Sequence, residues 1–84
     1  MTDKEDIILD QLYFVTAFHD IHRELDLSAL ELSRELWRLI EKGWVKCFSD
    51  PETEIKADQH KFTADYGNYH YLASKQGLLE HNRR

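Results

Sequence analysis

His19 and His22, with Asp20 and Asp26 close by, are the first grouping in this chain whose types and spacing could do chemistry. On a helix, ligands three or four residues apart share a face, and imidazole with carboxylate suits a zinc-like cation. Such a site needs a further ligand in a fixed place, and the sequence supplies none. The pair therefore reads as helix histidines, exposed or half-buried. His60, His70 and His81 are scattered. Cys47 is the only cysteine. It lies between Val45 and Phe48 in a run of strand formers, where a thiol packs as a small apolar group rather than acting as a nucleophile. Glu52 and Glu54 form an acid pair in a turn around Pro51, where nothing fixes a catalytic separation. The three glycines stand apart, so no phosphate loop exists. The expectation is a non-catalytic chain without metal, cofactor or evident small-molecule ligand.

Two other groupings point to binding. Arg34 and Arg38 are one helical turn apart and could reach a guanine or phosphates. Glu31 and Glu35 stand at helical pairing distances from them, so the same residues also read as a salt-bridged solvent face. No Asn or Gln lies between 28 and 42 to read adenine. The chain also carries ten aromatic residues, four Phe, four Tyr and two Trp. Leu30, Trp37, Trp44, Phe48, Tyr69 and Tyr71 are the candidates for a partner interface. Trp37 and Leu30 fall on the flank of a helical face, while the other four belong to two strand-like runs.

These residues must be held by one short domain. The chain has 84 residues, enough for a single domain, 1–84, that buries only about 60–65% of its unfolded surface. Large rings suit that constraint. One cysteine and an acidic start, Met1-Thr2-Asp3-Lys4-Glu5-Asp6, without the basic and apolar stretches of a secretory signal, give a cytoplasmic expectation. No apolar run approaches the ~20 residues of a membrane span.

Residues 5–25 show an apolar stripe at helical period through Ile8, Leu12, Val15, Phe14, Phe18, Ile21 and Leu25. A break near 15–19 is expected, with Thr16 as cap of a second helix. Ser28 followed by Glu31 is a capping box. The helix it opens runs to Lys42 and ends at Gly43. Ala29, Leu32, Ser33, Leu36, Leu39 and Ile40 form its inner face, with Glu31, Arg34, Glu35, Arg38, Glu41 and Lys42 outside. Residues 44–48 and 69–73 alternate as strands. Alternation puts Trp44 and Phe48 on one sheet face, and Tyr69 and Tyr71 together on one face. Between the strands, 49–68 is a polar loop that permits a short helix near Phe62 and Tyr66. Ser74 caps a last helix carrying Leu78 and Leu79.

That order of elements resembles the winged helix-turn-helix. Leu32-Ser33-Arg34-Glu35-Leu36-Trp37-Arg38-Leu39-Ile40-Glu41-Lys42-Gly43-Trp44-Val45 looks like the recognition helix and first wing strand of MarR-type regulators. Tyr69-His70-Tyr71-Leu72-Ala73-Ser74-Lys75-Gln76-Gly77-Leu78 looks like the second wing strand and the helix after it. The resemblance implies an α+β fold of N-terminal helices, a capped recognition-type helix, a two-stranded antiparallel wing and a short C-terminal helix. It also implies double-stranded DNA as a partner, contacted by Arg34 and Arg38 in the major groove.

Charge opposes that partner. The net charge is −5, and backbone binding relies on Lys and Arg releasing counterions. Seven acids in 1–26 face only Lys4 and Arg23, and the wing tip reads Asp50-Pro51-Glu52-Thr53-Glu54. Two readings follow. The favoured one is a protein-interaction module, binding a partner or a second copy through aromatic surface. The alternative is a DNA-binding transcriptional regulator using helix 28–42.

Overall fold

The computed structural model describes residues 3–83. Among them are five α-helices and a four-stranded antiparallel sheet. Helix α1 (Asp3–Asp10) buries Ile8 and Leu9. It is followed by strand β1 (Thr16–Ala17) and helix α2 (Phe18–Glu24). Helix α3 (Ala29–Glu41) leads into β2 (Val45–Asp50) and β3 (Thr53–Ile55). Helix α4 (Gln59–Asp65) and a 3-10 turn (Tyr66–Asn68) precede β4 (His70–Ala73) and α5 (Lys75–His81). The strands lie in the order β1-β4-β2-β3.

The break in the first helical stripe overlaps the expected 15–19 but starts earlier, running from Gln11 to Ala17. The amides of Gln11 and Leu12 tighten onto Ile8 and Leu9, and the Leu12 carbonyl accepts a 2.9 Å bond from the Ala73 amide of β4. That bond ties the stretch after α1 to the edge of the sheet. Thr16 does not cap α2. Its hydroxyl donates to the carbonyls of Phe14 (2.8 Å) and Gln11 (3.3 Å), closing the turn. Ala17 holds the cap position without a side-chain bond. Phe14 leaves the apolar stripe altogether and is 82% exposed.

Helix α3 forms where the capping box and the glycine place it. Ser28 Oγ accepts from the Glu31 amide at 3.1 Å, and the Glu31 carboxylate accepts from the Ser28 amide. At the other end Gly43 takes φ +78°. The Trp44 amide reaches the Leu39 carbonyl and the Gly43 amide reaches Ile40, a Schellman closure. Leu32, Leu36 and Leu39 are fully buried. Glu35 departs from its expected outer position: it is 7% exposed.

Ser28→Ala is expected to cost about 1 kcal/mol, read as a lower urea midpoint. The Glu31 carboxyl lies below its ordinary value of 4.5, chiefly because the Ser28 amide, and then Lys4, favour the ionised form. A depressed folded value stabilises above the unfolded one and loses that effect as pH falls through it. The stability gap between wild type and Glu31→Gln should therefore be present at neutral pH and close below about pH 4.5.

The segment 49–68 is not one loop. Asp50 turns the chain, its carboxylate accepting from the Glu52 amide, and β3 pairs back on β2 through Cys47 with Ile55 and Phe48 with Glu54. The ribbon expected to have two strands thus sits inside a sheet of four. Asp58 caps α4 by accepting from the Lys61 amide at 2.9 Å. Register places Thr16, Tyr71, Cys47 and Ile55 in one cross-strand row. Tyr71 and Cys47 belong to the core, and the Tyr71 hydroxyl donates to the Tyr66 carbonyl at 2.7 Å. Phe48, His70 and Leu72 alternate onto the other face of the sheet.

Candidate functional site

The site is built around α3, because its two flanks are treated differently. On one flank α1 is tied to it by two ion pairs, Lys4 with Glu31 and Lys42 with the buried Glu5. Arg38 donates to Glu35 at 3.0 Å, so the charge of the nearly enclosed Glu35 carboxylate is met. The Lys42 ammonium also lies 4.6 Å from the centre of the Trp44 ring.

On the other flank α4 runs alongside α3 and leaves a groove between them. Leu30, Ser33, Arg34, Trp37 and Glu41 line it from α3; Gln59, Phe62 and Thr63 face them, with Tyr66 beyond. Phe62 is the hub of this wall. Its ring centre lies 5.1 Å from Trp37, 6.0 Å from Tyr66, 6.3 Å from Tyr71 and 6.5 Å from Tyr69. Tyr66 in turn packs, tilted, against Phe18 of α2 at 5.1 Å between ring centres. The aromatic cluster therefore fastens α4 to α3 and to the sheet at once. Phe62 and Tyr66 extend the core on the Tyr71 side and do not close the opposite sheet face.

The candidate residues separate on this frame. Arg34 and Arg38 stand on the rim of the groove, but only Arg38 has a carboxylate partner; Arg34 has no ion pair among the described residues. Leu30 is 54% exposed at the N-terminal end of the groove, and Trp37 is half-buried on Phe62. The remaining four do not join them. Trp44 is half-buried beneath Lys42, and Tyr69 is half-buried against Phe62. Phe48 is buried, outside the main core cluster, and Tyr71 is fully buried inside it. Tyr71 thus supplies core rather than interface, since no partner can reach its ring. Desolvation pushes the Tyr71 hydroxyl far above the ordinary tyrosine range.

In the sequence, the groove wall supplied by α4 is legible only as a permitted short helix near Phe62 and Tyr66. The stronger signal is Asp58 three residues before Lys61, a capping spacing ahead of an apolar position. Nothing local says that Phe62 meets Trp37, because that contact spans the whole β2–β3 ribbon.

A second groove runs between the end of α3 and the sheet, lined in part by Trp37, Ile40, Ile55 and Cys47. Trp37 and Glu41 are shared by both grooves. Burial pushes the Cys47 thiol up to about 11 from 9.0. At pH 8 its thiolate fraction is then lower by about a hundredfold. Modification of the folded chain by an aromatic disulfide reagent should be slower than that of the urea-unfolded chain by at least this factor.

His19 is exposed and His22 half-buried beside Phe18, at 6.0 Å between ring centres. Among the described residues no group of three or more His, Cys, Asp or Glu side chains is placed to hold a metal ion. No helix among them is long and apolar enough to cross a membrane. No family model matches the chain, and neither a curated protein nor a solved structure matches it at a significant level.

Proposed function

We propose that this chain is a non-catalytic winged-helix module of the cytoplasm that docks a protein partner. The element order supports the scaffold. A short strand after the first helix pairs with β4, and β4 pairs with β2, the strand that leaves the glycine-stopped helix. On this reading β3 and α4 are an insertion between the two wing strands.

One observation carries the functional reading. The helix that a DNA-binding relative would lay in the major groove is flanked on both sides, by α1 through ion pairs and by α4 through Trp37 and Phe62. What stays open along it is a face that sets Glu31 and Glu41 beside Arg34 and Arg38, bordered by a groove containing Leu30 and Trp37, a surface suited to apolar side chains. The net charge of −5 works against a polyanion in the same sense.

The alternative, a regulator reading DNA through Arg34 and Arg38, rests on the resemblance and on one feature of the structure: Arg34 has no ion pair among the described residues. Fluorescence anisotropy of a labelled random-sequence duplex at low ionic strength separates the two. The docking reading expects no change even at high protein concentration. Binding that weakens as salt is added, and that Arg34→Ala reduces, would establish the DNA reading instead.

A further inference from the structure

Arg34 and Glu41 are opposite charges on one stripe of α3, and neither has an ion pair among the described residues. Arg38, between them, is engaged by Glu35 at 3.0 Å. Leu30, Arg34, Trp37 and Glu41 follow one another at alternating steps of four and three residues. That spacing keeps them within about 60° of one another around the helix. Leu30, Arg34 and Glu41 are exposed and Trp37 is half-buried. Trp37 stands midway between the two charges, which are about 10 Å apart along the helix axis.

Building on the docking reading above, we propose that the partner is a second copy of this chain, its α3 laid antiparallel on this stripe about a two-fold axis near Trp37. In such a contact residue i meets residue j, and j meets i. Arg34 then faces Glu41 of the second copy, Glu41 faces its Arg34, and the two Trp37 side chains meet at the axis. Both charges are answered at once. An acidic ligand would set a like charge against Glu41, and a basic one would do the same to Arg34. Duplex DNA fails on the first count, because its phosphates would meet Glu41. Each copy carries a net charge of −5, but physiological salt screens charges more than about 8 Å apart, so the pairs in contact outweigh those elsewhere. Helix α3 has 13 residues and is about 20 Å long. A contact of that size lies at the low end of specific interfaces, so the dimer should be weak and reversible.

The test is sedimentation equilibrium of the full chain from about 10 μM to about 1 mM, a range in which a weak dimer dissociates on dilution. The wild type should dimerise reversibly. Arg34→Glu and Glu41→Arg should each weaken the dimer by at least about tenfold, since each sets two like-charge pairs across the contact. An equimolar mixture of the two variants should recover the dimer, because every pair is then again opposite in sign. That recovery also shows that both variants fold. A wild type that stays monomeric throughout, charge reversals that leave its dimer unchanged, or a mixture that associates no better than its components overturns the proposal. If the chain is monomeric and the duplex titration is also negative, the docking reading stands with a different protein as partner. Salt-sensitive duplex binding by a monomeric chain removes both.

Discussion

Phe62→Ala is expected to lower the unfolding free energy by about 3–5 kcal/mol, the cost of removing a buried aromatic ring. A domain of this length has roughly 4–13 kcal/mol in total, so the variant should sit near the edge of folding. The physical reason is that a single ring joins several elements. Phe62 packs against the rings of Trp37, Tyr66, Tyr69 and Tyr71, which come from α3, the 3-10 turn and the β4 region. Helix α4 itself is only seven residues long, too short to persist without tertiary packing. Phe62→Leu keeps much of the apolar volume and should cost less, under about 2 kcal/mol. Urea unfolding followed by far-UV circular dichroism measures both. Equal midpoints for wild type and Phe62→Ala would show that α4 does not hold the fold together.

Gly77→Ala should also destabilise strongly, against the usual preference for alanine in a helix. A Cβ at this position would lie 2.1 Å from the carbonyl oxygen of Trp44, which is backbone and cannot swing aside. The start of α5 is already fastened there. The Ser74 amide donates to the Trp44 carbonyl at 2.8 Å, and the Ser74 hydroxyl donates to the Gly43 carbonyl at 2.6 Å while accepting from the Gly77 amide. Relief requires α5 to move off the Gly43–Trp44 segment and give up these bonds. Overpacking typically costs about 1–3 kcal/mol, and about 1 kcal/mol of helix propensity is gained in return. Because the obstacle is backbone, the net loss should be about 2 kcal/mol or more, seen as a Tm lower by ~10 °C. Gly67→Ala, which meets nothing within 4 Å, is the control and should change Tm little. A Gly77→Ala protein as stable as wild type would mean that α5 does not pack on Trp44 this closely.

Much of the scaffold can be read locally. The cap at Ser28, the stop at Gly43 and the cap at Ser74 each depend on residues within one turn, and each forms as the sequence implies. The departures share a cause. The first helix ends at Asp10, and the stretch after it is tied to the sheet by Ala73, far along the chain, whose amide donates to the Leu12 carbonyl. Tyr71 disappears into the core because alternation assigns a strand's faces but cannot say which face meets the helices. Leu30 and Trp37 read as flank residues from the helical wheel, yet the groove that unites them with Arg34 depends on α4. Its position follows from packing between Phe62 and rings on distant segments.

The central claim is that α4 lies against α3 in solution, so that this flank is a walled groove and not a free reading surface. Nuclear Overhauser effects between the Trp37 indole and the Phe62 ring in the full chain test it most directly. Ring centres 5.1 Å apart should give strong cross-peaks between the indole and Phe62 protons. If those cross-peaks are missing while Phe62 shows the shifts of an exposed phenylalanine, α4 is detached. The groove and the docking function proposed for it would then be wrong.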